Sequence, residues 1–112
     1  MSKFLLGPLE QEVMDCVWRD KKVTVRDVYS CIRSRRKIAY TTVMTILARL
    51  VSKGFLLRKK QGKAYLYYSK KSKRESIRMI INKVMNSFID QFGEEAIVAF
   101  SDEVEKLSSK EQ

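Results

Sequence analysis

The spacing of apolar residues predicts three helices in the first half of the chain. Pro8 opens the first helix, because a proline at the first helical position loses no hydrogen bond, and an apolar stripe of helical period continues to Trp18. Thr24 and Asp27 resemble a capping box that starts the second helix. The third helix begins near Tyr40, and one of its faces is apolar. That face carries Val43, Ile46, Leu47, Leu50 and Val51.

The pattern changes after this third helix. Gly54 stands where a left-handed C-terminal cap is needed. Residues 55–60 and 63–68 then predict two strands, and Gln61 and Gly62 predict the tight turn between them. A hairpin therefore follows the third helix.

Two amphipathic helices follow the hairpin. Ser72 and Glu75 fit the S-x-x-E capping box, which predicts a long helix that Gly93 ends, and a last helix runs from about Glu94. Two helices with wide apolar faces cannot make a core alone. They could fold back on the winged domain, but we expect them to interlock with the same segment of a second chain. The residues expected at that contact are Ile77, Ile80, Ile81, Val84, Phe88, Phe92, Ile97, Phe100 and Val104.

The order of three helices and a hairpin is that of a winged helix-turn-helix. We therefore expect a mainly α fold with a small β-hairpin wing. Residues 1–71 would form the DNA-binding domain and residues 72–112 a helical dimerisation domain. Charge divides at the same place, because residues 1–71 hold 17 Lys or Arg against 5 Asp or Glu, whereas residues 72–112 hold 6 against 8. A basic half and a near-neutral half indicate two different tasks.

A one-signed stretch of charge indicates the binding partner. Between Asp27 and Glu75 the chain has fourteen Lys or Arg and no acidic residue, whereas an ordinary soluble surface mixes both signs. Such a stretch favours a polyanion, and the small, polar outer face of the third helix suits the major groove of double-stranded DNA. The predicted contacts are Tyr40, Thr41, Thr42, Met44, Thr45, Arg49 and Lys53 on the helix at about 41–53, and Arg58, Lys59, Lys60 and Lys63 on the basic wing at 58–63.

Two other interpretations compete with DNA binding. A threonine-rich helix face is often only solvated surface, and basic residues on a hairpin often protect a sheet edge. The domain could also be a winged-helix module that binds RNA or a protein partner. RNA readers display stacking aromatics, and Tyr65, Tyr67 and Tyr68 are candidates. These tyrosines fall on both faces of one strand, so we expect at least one of them in the core.

Catalytic and metal chemistry find little support in the composition. The chain has no histidine, which excludes histidine-based catalysis and leaves a zinc site short of ligands. We expect no enzymatic activity, no cofactor and no metal. Cys16 and Cys31 do not make a disulfide framework, and we expect small buried hydrophobes rather than the alternative, thiol sensors. No signal peptide or membrane-length apolar run is visible, so we expect a cytoplasmic protein without a membrane partner.

Several segments together resemble the BlaI/MecI/CopY family of penicillinase-type repressors. The most specific is AYTTVMTILARL at residues 39–50, followed by Lys53 and Gly54. It is supported, in chain order, by LEQEVM at 9–14, VTVRDV at 23–28, KAYLY at 63–67 and FGEEA at 92–96. The resemblance runs from about Leu6 to Leu107.

This resemblance implies a winged-helix homodimer that binds a palindromic promoter operator and represses transcription. In the family, a regulatory protease cleaves antibiotic-responsive members within the C-terminal domain, and the matching bond here lies between Ala99 and Phe100. Members that are cut there carry Asn where this chain carries Ala99. The copper-responsive branch has a C-terminal cysteine motif, whereas this chain has no cysteine after Cys31.

Overall fold

The computed structural model describes residues 5–111, and it confirms the mainly α fold with a small antiparallel sheet. No helix in this range is long and apolar enough to cross a membrane. In chain order the elements are α1 (Pro8–Asp20), β1 (Lys22–Val23), α2 (Val25–Arg33), α3 (Tyr40–Ser52), β2 (Leu57–Gln61), β3 (Ala64–Tyr68), α4 (Lys73–Phe92) and α5 (Glu95–Glu111).

The helices begin where local capping chemistry predicts. Pro8 occupies the start of α1. In α2 the Thr24 hydroxyl accepts a hydrogen bond from the Asp27 backbone N–H at 3.1 Å, and the Asp27 carboxylate accepts one from the Thr24 N–H at 2.9 Å. These two bonds complete the predicted capping box. At α4 one half of the second predicted box is present, because the Ser72 hydroxyl accepts from the Glu75 N–H at 3.1 Å, while the Glu75 carboxylate accepts from the Ser72 hydroxyl at 3.3 Å and not from its backbone N–H.

Gly54 ends α3 in a left-handed conformation, with φ of 86°. The Phe55 N–H donates to the Leu50 carbonyl at 3.0 Å and the Gly54 N–H to the Val51 carbonyl at 3.1 Å, which is the Schellman pattern. The two residues after the glycine, Phe55 and Leu56, are buried. The cap therefore turns the chain back into the core and sets the direction in which β2 leaves.

The sheet differs from the predicted two-stranded hairpin in two ways. Its order is β1-β3-β2. Val23 in β1 pairs with Tyr67 in β3, which adds a third, short strand. Burial of Val23 and Tyr67 explains this pairing, since both side chains enter the core. The turn also lies one residue later than predicted. Gln61 pairs with Ala64, so Gly62, with φ of 64°, and Lys63 form the two-residue turn.

The hydrophobic core belongs to the winged-helix part of the chain. Among residues 5–110, every buried apolar side chain lies between Val13 and Tyr67. Tyr67 confirms that one of the three wing tyrosines is in the core, while Trp18 is only partly buried against it. The core residues are Val13, Met14, Cys16, Val17, Val23, Val28, Ile32, Val43, Ile46, Leu47, Leu50, Phe55, Leu56 and Tyr67.

The two cysteines correct the sequence prediction. Cys16 in α1 and Cys31 in α2 form a disulfide, with their Cα atoms 6.5 Å apart. The expectation that they form no disulfide was wrong, although Cys16 is buried in the core as expected and Cys31 is partly buried. Packing of α1 against α2 brings the two side chains together, and their separation of 15 residues in sequence did not reveal this contact.

Helices α4 and α5 leave wide apolar surface exposed. Within the described part of these helices no apolar side chain is buried, although Met79 and Ile80 pack partly against the winged-helix core. The exposed large apolar residues of α4 and α5 are Ile77, Ile81, Phe92, Ile97, Val98, Phe100, Val104 and Leu107.

Replacing Gly54 tests how much the cap of α3 contributes to stability. An added Cβ would meet no atom within 4 Å, so the cost of Gly54→Ala is backbone strain at positive φ rather than crowding. We expect a loss of about 1 kcal/mol in the free energy of unfolding, measured by chemical denaturation. Gly54→Asn is the control and should lose less, because asparagine tolerates this conformation. Equal losses for both variants would contradict the role assigned to the cap.

Candidate nucleic-acid interface

The two faces of α3 have opposite characters. Val43, Leu47 and Leu50 are fully buried, and Ile46 is nearly so. Because a helix turns by about 100° per residue, burial of these positions forces the remaining ones outward. The outward residues include all six contacts that were predicted within the helix, and each is exposed. They are Tyr40, Thr41, Thr42, Met44, Thr45 and Arg49.

Neighbouring groups orient several of these side chains. The Tyr40 ring packs edge-on against Tyr29 of α2, with ring centroids 5.5 Å apart. The Thr45 hydroxyl donates its proton to the Thr41 carbonyl at 3.0 Å. Its oxygen lone pairs therefore remain to accept a hydrogen bond from a base amino group. Met44, next to Thr45 on the exposed face of α3, is 47% exposed and offers an apolar contact.

The wing carries a second cluster of exposed cations. Arg58, Lys59 and Lys60 lie on β2, which is an edge strand, and all three are exposed. Lys63 lies in the turn instead of at the start of the second strand, where it was predicted. The Arg58 guanidinium stacks 4.4 Å from the centroid of the Tyr65 ring, which holds the arginine on the surface of the wing.

The exposed cations of α3 and the wing form no ion pair with the described residues. None of the ion pairs within residues 5–110 involves Arg49, Arg58, Lys59, Lys60 or Lys63. Arg49 lies within electrostatic range of Glu10, whereas the wing cations leave their positive potential to an external anion.

Lys53, in contrast, is engaged within the protein. Its ammonium nitrogen lies 3.0 Å from a Glu10 carboxylate oxygen and 2.8 Å from the Leu5 carbonyl oxygen, and its side chain is only 18% exposed. The ammonium is therefore committed to an internal pair. Glu10 and Lys53 are distant in sequence, and only the packing of α1 against α3 brings them together.

Arg36 is also engaged within the protein. Its guanidinium pairs with the Glu12 carboxylate of α1 at 2.6 Å. The basic stretch that looks continuous in the sequence is thus divided by folding. Some of its members hold α1 in place, whereas Arg49 and the wing cations face outward.

Electrostatics around Glu10 favour its ionised form. Burial desolvates the carboxyl group and by itself raises its pKa. Hydrogen bonds from the Gly7 backbone N–H and from Lys53, together with the positive charges of Lys53 and Arg49, act in the other direction. The balance holds the pKa of Glu10 below its ordinary value. Glu10 consequently remains an anion that anchors Lys53 and lies within electrostatic range of Arg49.

The residues predicted for dimerisation lie on α4 and α5, but only some of them are fully exposed. Ile80, Val84 and Phe88 are half-buried, and the other predicted residues on these helices are exposed. Ala99 and Phe100 lie inside α5 and line an apolar groove of about 370 Å³ between the two helices, together with Phe88 and Phe92.

A family model described as "Penicillinase repressor" matches residues 6–112, which is nearly the whole chain. The chain belongs to the penicillinase repressor family.

Named relatives of this penicillinase repressor chain agree with that result. The methicillin resistance regulatory protein MecI of Mammaliicoccus sciuri is 33% identical over 110 aligned residues. The match covers 91% of this chain and 89% of MecI. The transcriptional regulator BlaI of Mycobacterium tuberculosis is 46% identical over 63 residues, which is 55% of this chain. That match spans only 46% of the length of BlaI.

A solved structure supports the fold of this penicillinase repressor chain. The solution structure of the DNA-binding domain of the repressor BlaI superposes with a TM-score of 0.56 at 25% sequence identity. The superposition covers 61% of this chain and 83% of that domain. The winged-helix part described above is therefore similar to a domain whose name states that it binds DNA.

The anchoring role of Glu10 predicts a pH-dependent effect of its substitution. Because its folded-state pKa is depressed, the ionised carboxylate stabilises the fold above the unfolded-state pKa, and this contribution is lost as pH falls through the folded-state pKa. We expect Glu10→Gln to lower the free energy of unfolding by about 1 kcal/mol at pH 7. The difference should shrink as pH falls below the ordinary glutamate pKa of about 4.3 and should vanish only below the depressed folded-state pKa, as measured by denaturation across pH.

Glu103→Gln is the matched control for this substitution. Glu103 also pairs with a lysine, Lys106, but the two side chains are 69% and 71% exposed. Exposed pairs contribute little to stability, so we expect almost no change at any pH. A loss in Glu10→Gln that persists unchanged into acid would contradict the ionic role of Glu10.

Proposed function

We propose that this chain is a dimeric transcriptional repressor that binds a palindromic promoter operator through α3 and the basic wing. The observation that carries the proposal is the exposed, acid-free face of α3, together with the exposed wing cations, which form no ion pair with the described residues. The names of the relatives, a regulatory protein and the DNA-binding domain of a repressor, support the same function.

The exposed face of α3 suits a reader of base edges. The major groove of B-DNA is about 12 Å wide and admits one helix. Thr45 retains acceptor lone pairs, Arg49 can donate two hydrogen bonds to a guanine, and Met44 can lie against a thymine methyl group. The buried face of the same helix fixes how these side chains project. We infer that α3 supplies sequence specificity.

The wing suits the phosphate backbone. Arg58, Lys59, Lys60 and Lys63 are exposed cations clustered on an edge strand and its turn, an arrangement that suits a row of phosphate groups. Cationic contacts to phosphate supply affinity and orientation without sequence preference. We infer that the wing fixes the register of α3 on the duplex.

A second copy of the chain would cover the apolar surface of α4 and α5. Both helices leave large apolar side chains exposed, including Phe92 at 59% and Val98 at 62%. A symmetric dimer would bury these faces against each other and would present two copies of α3 to the two half-sites of a palindrome.

A regulatory protease could act on this segment at the bond between Ala99 and Phe100. The bond lies within α5 and not in a loop, so cleavage requires local unwinding of the helix. Cutting there would separate the apolar residues that follow, among them Val104 and Leu107, from the rest of the dimer-forming surface. Loss of the dimer would then release the operator.

Binding to the promoter region of the gene that the protein controls tests the central proposal. We expect the chain to bind a duplex from that region at least about a thousandfold more tightly than random duplex at the same salt concentration. Fluorescence anisotropy with labelled duplexes measures both affinities. Structured RNA is the competitor that separates the alternative function. Preferential displacement by RNA, or equal affinity for promoter and random duplex, would overturn DNA-operator binding.

Substitutions should separate base reading from phosphate binding. We expect Thr45→Ala and Arg49→Ala to weaken promoter binding by about 1–3 kcal/mol and random binding much less. Lys59→Ala should weaken both and should reduce the salt slope by about one unit. Lys110→Ala, an exposed lysine in the last turn of α5, is the charge-matched control and should change neither. A loss in Thr45→Ala that is equal on both duplexes would remove Thr45 from the base-reading set.

Charge introduced on α5 should disrupt the proposed dimer. Val104 is 44% exposed and lies on the apolar face of α5, so Val104→Asp should raise the dimer dissociation constant by roughly tenfold or more, as measured by sedimentation equilibrium. Ser109→Asp adds the same charge at an exposed position on the polar side of the same helix, beside Glu105 and Lys106, and should leave the constant nearly unchanged. An unchanged constant for Val104→Asp would place the interface elsewhere.

A further inference from the structure

The disulfide between Cys16 and Cys31 has two unequal ends. Cys16 lies in the core and is 1% exposed, whereas Cys31 on α2 is only partly buried. Cys31 is therefore the more accessible residue of the two. Neither cysteine belongs to the proposed DNA-contacting surface.

Two guanidinium groups lie against these sulfur atoms. The Arg35 Nη2 atom is 3.7 Å from Cys16 Sγ and 3.6 Å from Cys31 Sγ, and the Arg19 Nη2 atom is 3.4 Å from Cys31 Sγ. Arg19 is also held by the adjacent Asp20 carboxylate. Arg35 forms none of the ion pairs found among residues 5–110, so the two sulfurs are the groups that its charge faces most directly.

The positive charge beside the two sulfur atoms affects the chemistry of the disulfide. Positive charge next to cysteine stabilises the thiolate, which is the form that attacks and leaves in thiol–disulfide exchange. The arginines therefore favour the reduced, charged state of the pair. The same positive charges stabilise the transition states of thiol–disulfide exchange, in which negative charge is spread over the sulfur atoms.

We propose that Cys16 and Cys31 form a redox-active dithiol that exchanges with low-molecular-weight thiols and disulfides, with Cys31 as the reacting sulfur and Cys16 as its buried partner. Arg35 and Arg19 are positioning residues that stabilise the thiolates. This site is separate from the DNA-contacting surface and does not depend on the proposed function.

Reduction of the pair proceeds in two balanced exchanges. A small thiolate attacks Cys31 Sγ, the bond to Cys16 breaks, and its electron pair leaves on Cys16 as a thiolate facing Arg35. A second small thiolate attacks the small-molecule sulfur of the mixed disulfide, and Cys31 leaves as a thiolate beside Arg19 and Arg35. The sum converts one protein disulfide and two small thiols into a protein dithiol and one small disulfide. Oxidation by a small disulfide is the reverse.

Oxidation of the cysteine pair should raise the thermal stability of the winged-helix part. The bond joins α1 to α2 across a sequence separation of 15 residues, and it restricts the unfolded chain as well as the folded one. We expect the thermal midpoint of the oxidised chain to exceed that of the reduced chain by on the order of 10 °C.

Exchange with glutathione tests the proposal on the full chain. Wild-type protein is equilibrated in buffers of defined ratios of reduced to oxidised glutathione, quenched with acid, alkylated and analysed by peptide mass spectrometry. We expect a reversible transition between disulfide and dithiol, with any trapped mixed disulfide on the peptide that contains Cys31. A folded chain that stays oxidised in millimolar reduced glutathione would overturn the proposal, because the bond would then be purely structural.

Cysteine variants test which sulfur reacts. Cys16→Ser should form a mixed disulfide with oxidised glutathione at Cys31, whereas Cys31→Ser should leave Cys16 unmodified while the chain is folded. Equal modification of the two variants, with folding verified by circular dichroism, would contradict the assignment. Should either variant fail to fold, the position of the mixed disulfide trapped in the wild-type chain decides the same point.

Arginine variants test the role of the neighbouring charge. Arg35→Met should slow reduction by glutathione by roughly fivefold or more and should shift the equilibrium towards the disulfide. Arg36→Met is the matched control, because Arg36 pairs with Glu12 and is hydrogen-bonded to neither sulfur. Equal rates for the two variants would show that Arg35 does not act on the cysteines.

Discussion

Burial of one face of α3 is the constraint on which the candidate interface depends. Val43, Leu47 and Leu50 have no exposed surface, and full burial of such a side chain contributes about 1.5–3 kcal/mol. Rotating the helix about its axis would expose this face, so the outward direction of Thr45 and Arg49 follows from packing. The interface is thus the residual surface of a well-buried helix, and it needs no separate scaffold.

Helix α1 is joined to α2 and to the two ends of α3 by two ion pairs and one disulfide. Glu10 pairs with Lys53 at the end of α3, Glu12 pairs with Arg36 before α3, and Cys16 is bonded to Cys31 of α2. Their weights differ. The Glu12 pair is half-exposed and contributes at most about 1 kcal/mol. The Glu10 pair is largely shielded from solvent, so its loss would leave a carboxylate without its cation.

Local chemistry explains which features could be predicted from the sequence. The Thr24 and Asp27 capping box, the left-handed cap at Gly54 and the buried face of α3 depend on residues that are close in sequence, and all three are present in the structure. The resemblance to the penicillinase repressors was likewise confirmed.

Features that depend on distant contacts were missed. The pairing of β1 with β3, the engagement of Lys53 by Glu10 and the disulfide each join segments that meet only after the helices have packed. Neither hydrophobic period nor charge pattern contains that information. The stretch of cations looks uniform in the sequence, but folding pairs two of its members, Arg36 and Lys53, with glutamates of α1.

Amide chemical shifts recorded by NMR during titration with a promoter duplex test the central claim most directly. If α3 and the wing form the interface, the largest shifts will fall on residues 40–49 and on Gly62 and Lys63, while the amides of α5 will change little. Shifts concentrated on α4 and α5, with α3 unaffected, would contradict the assignment of the DNA-binding surface.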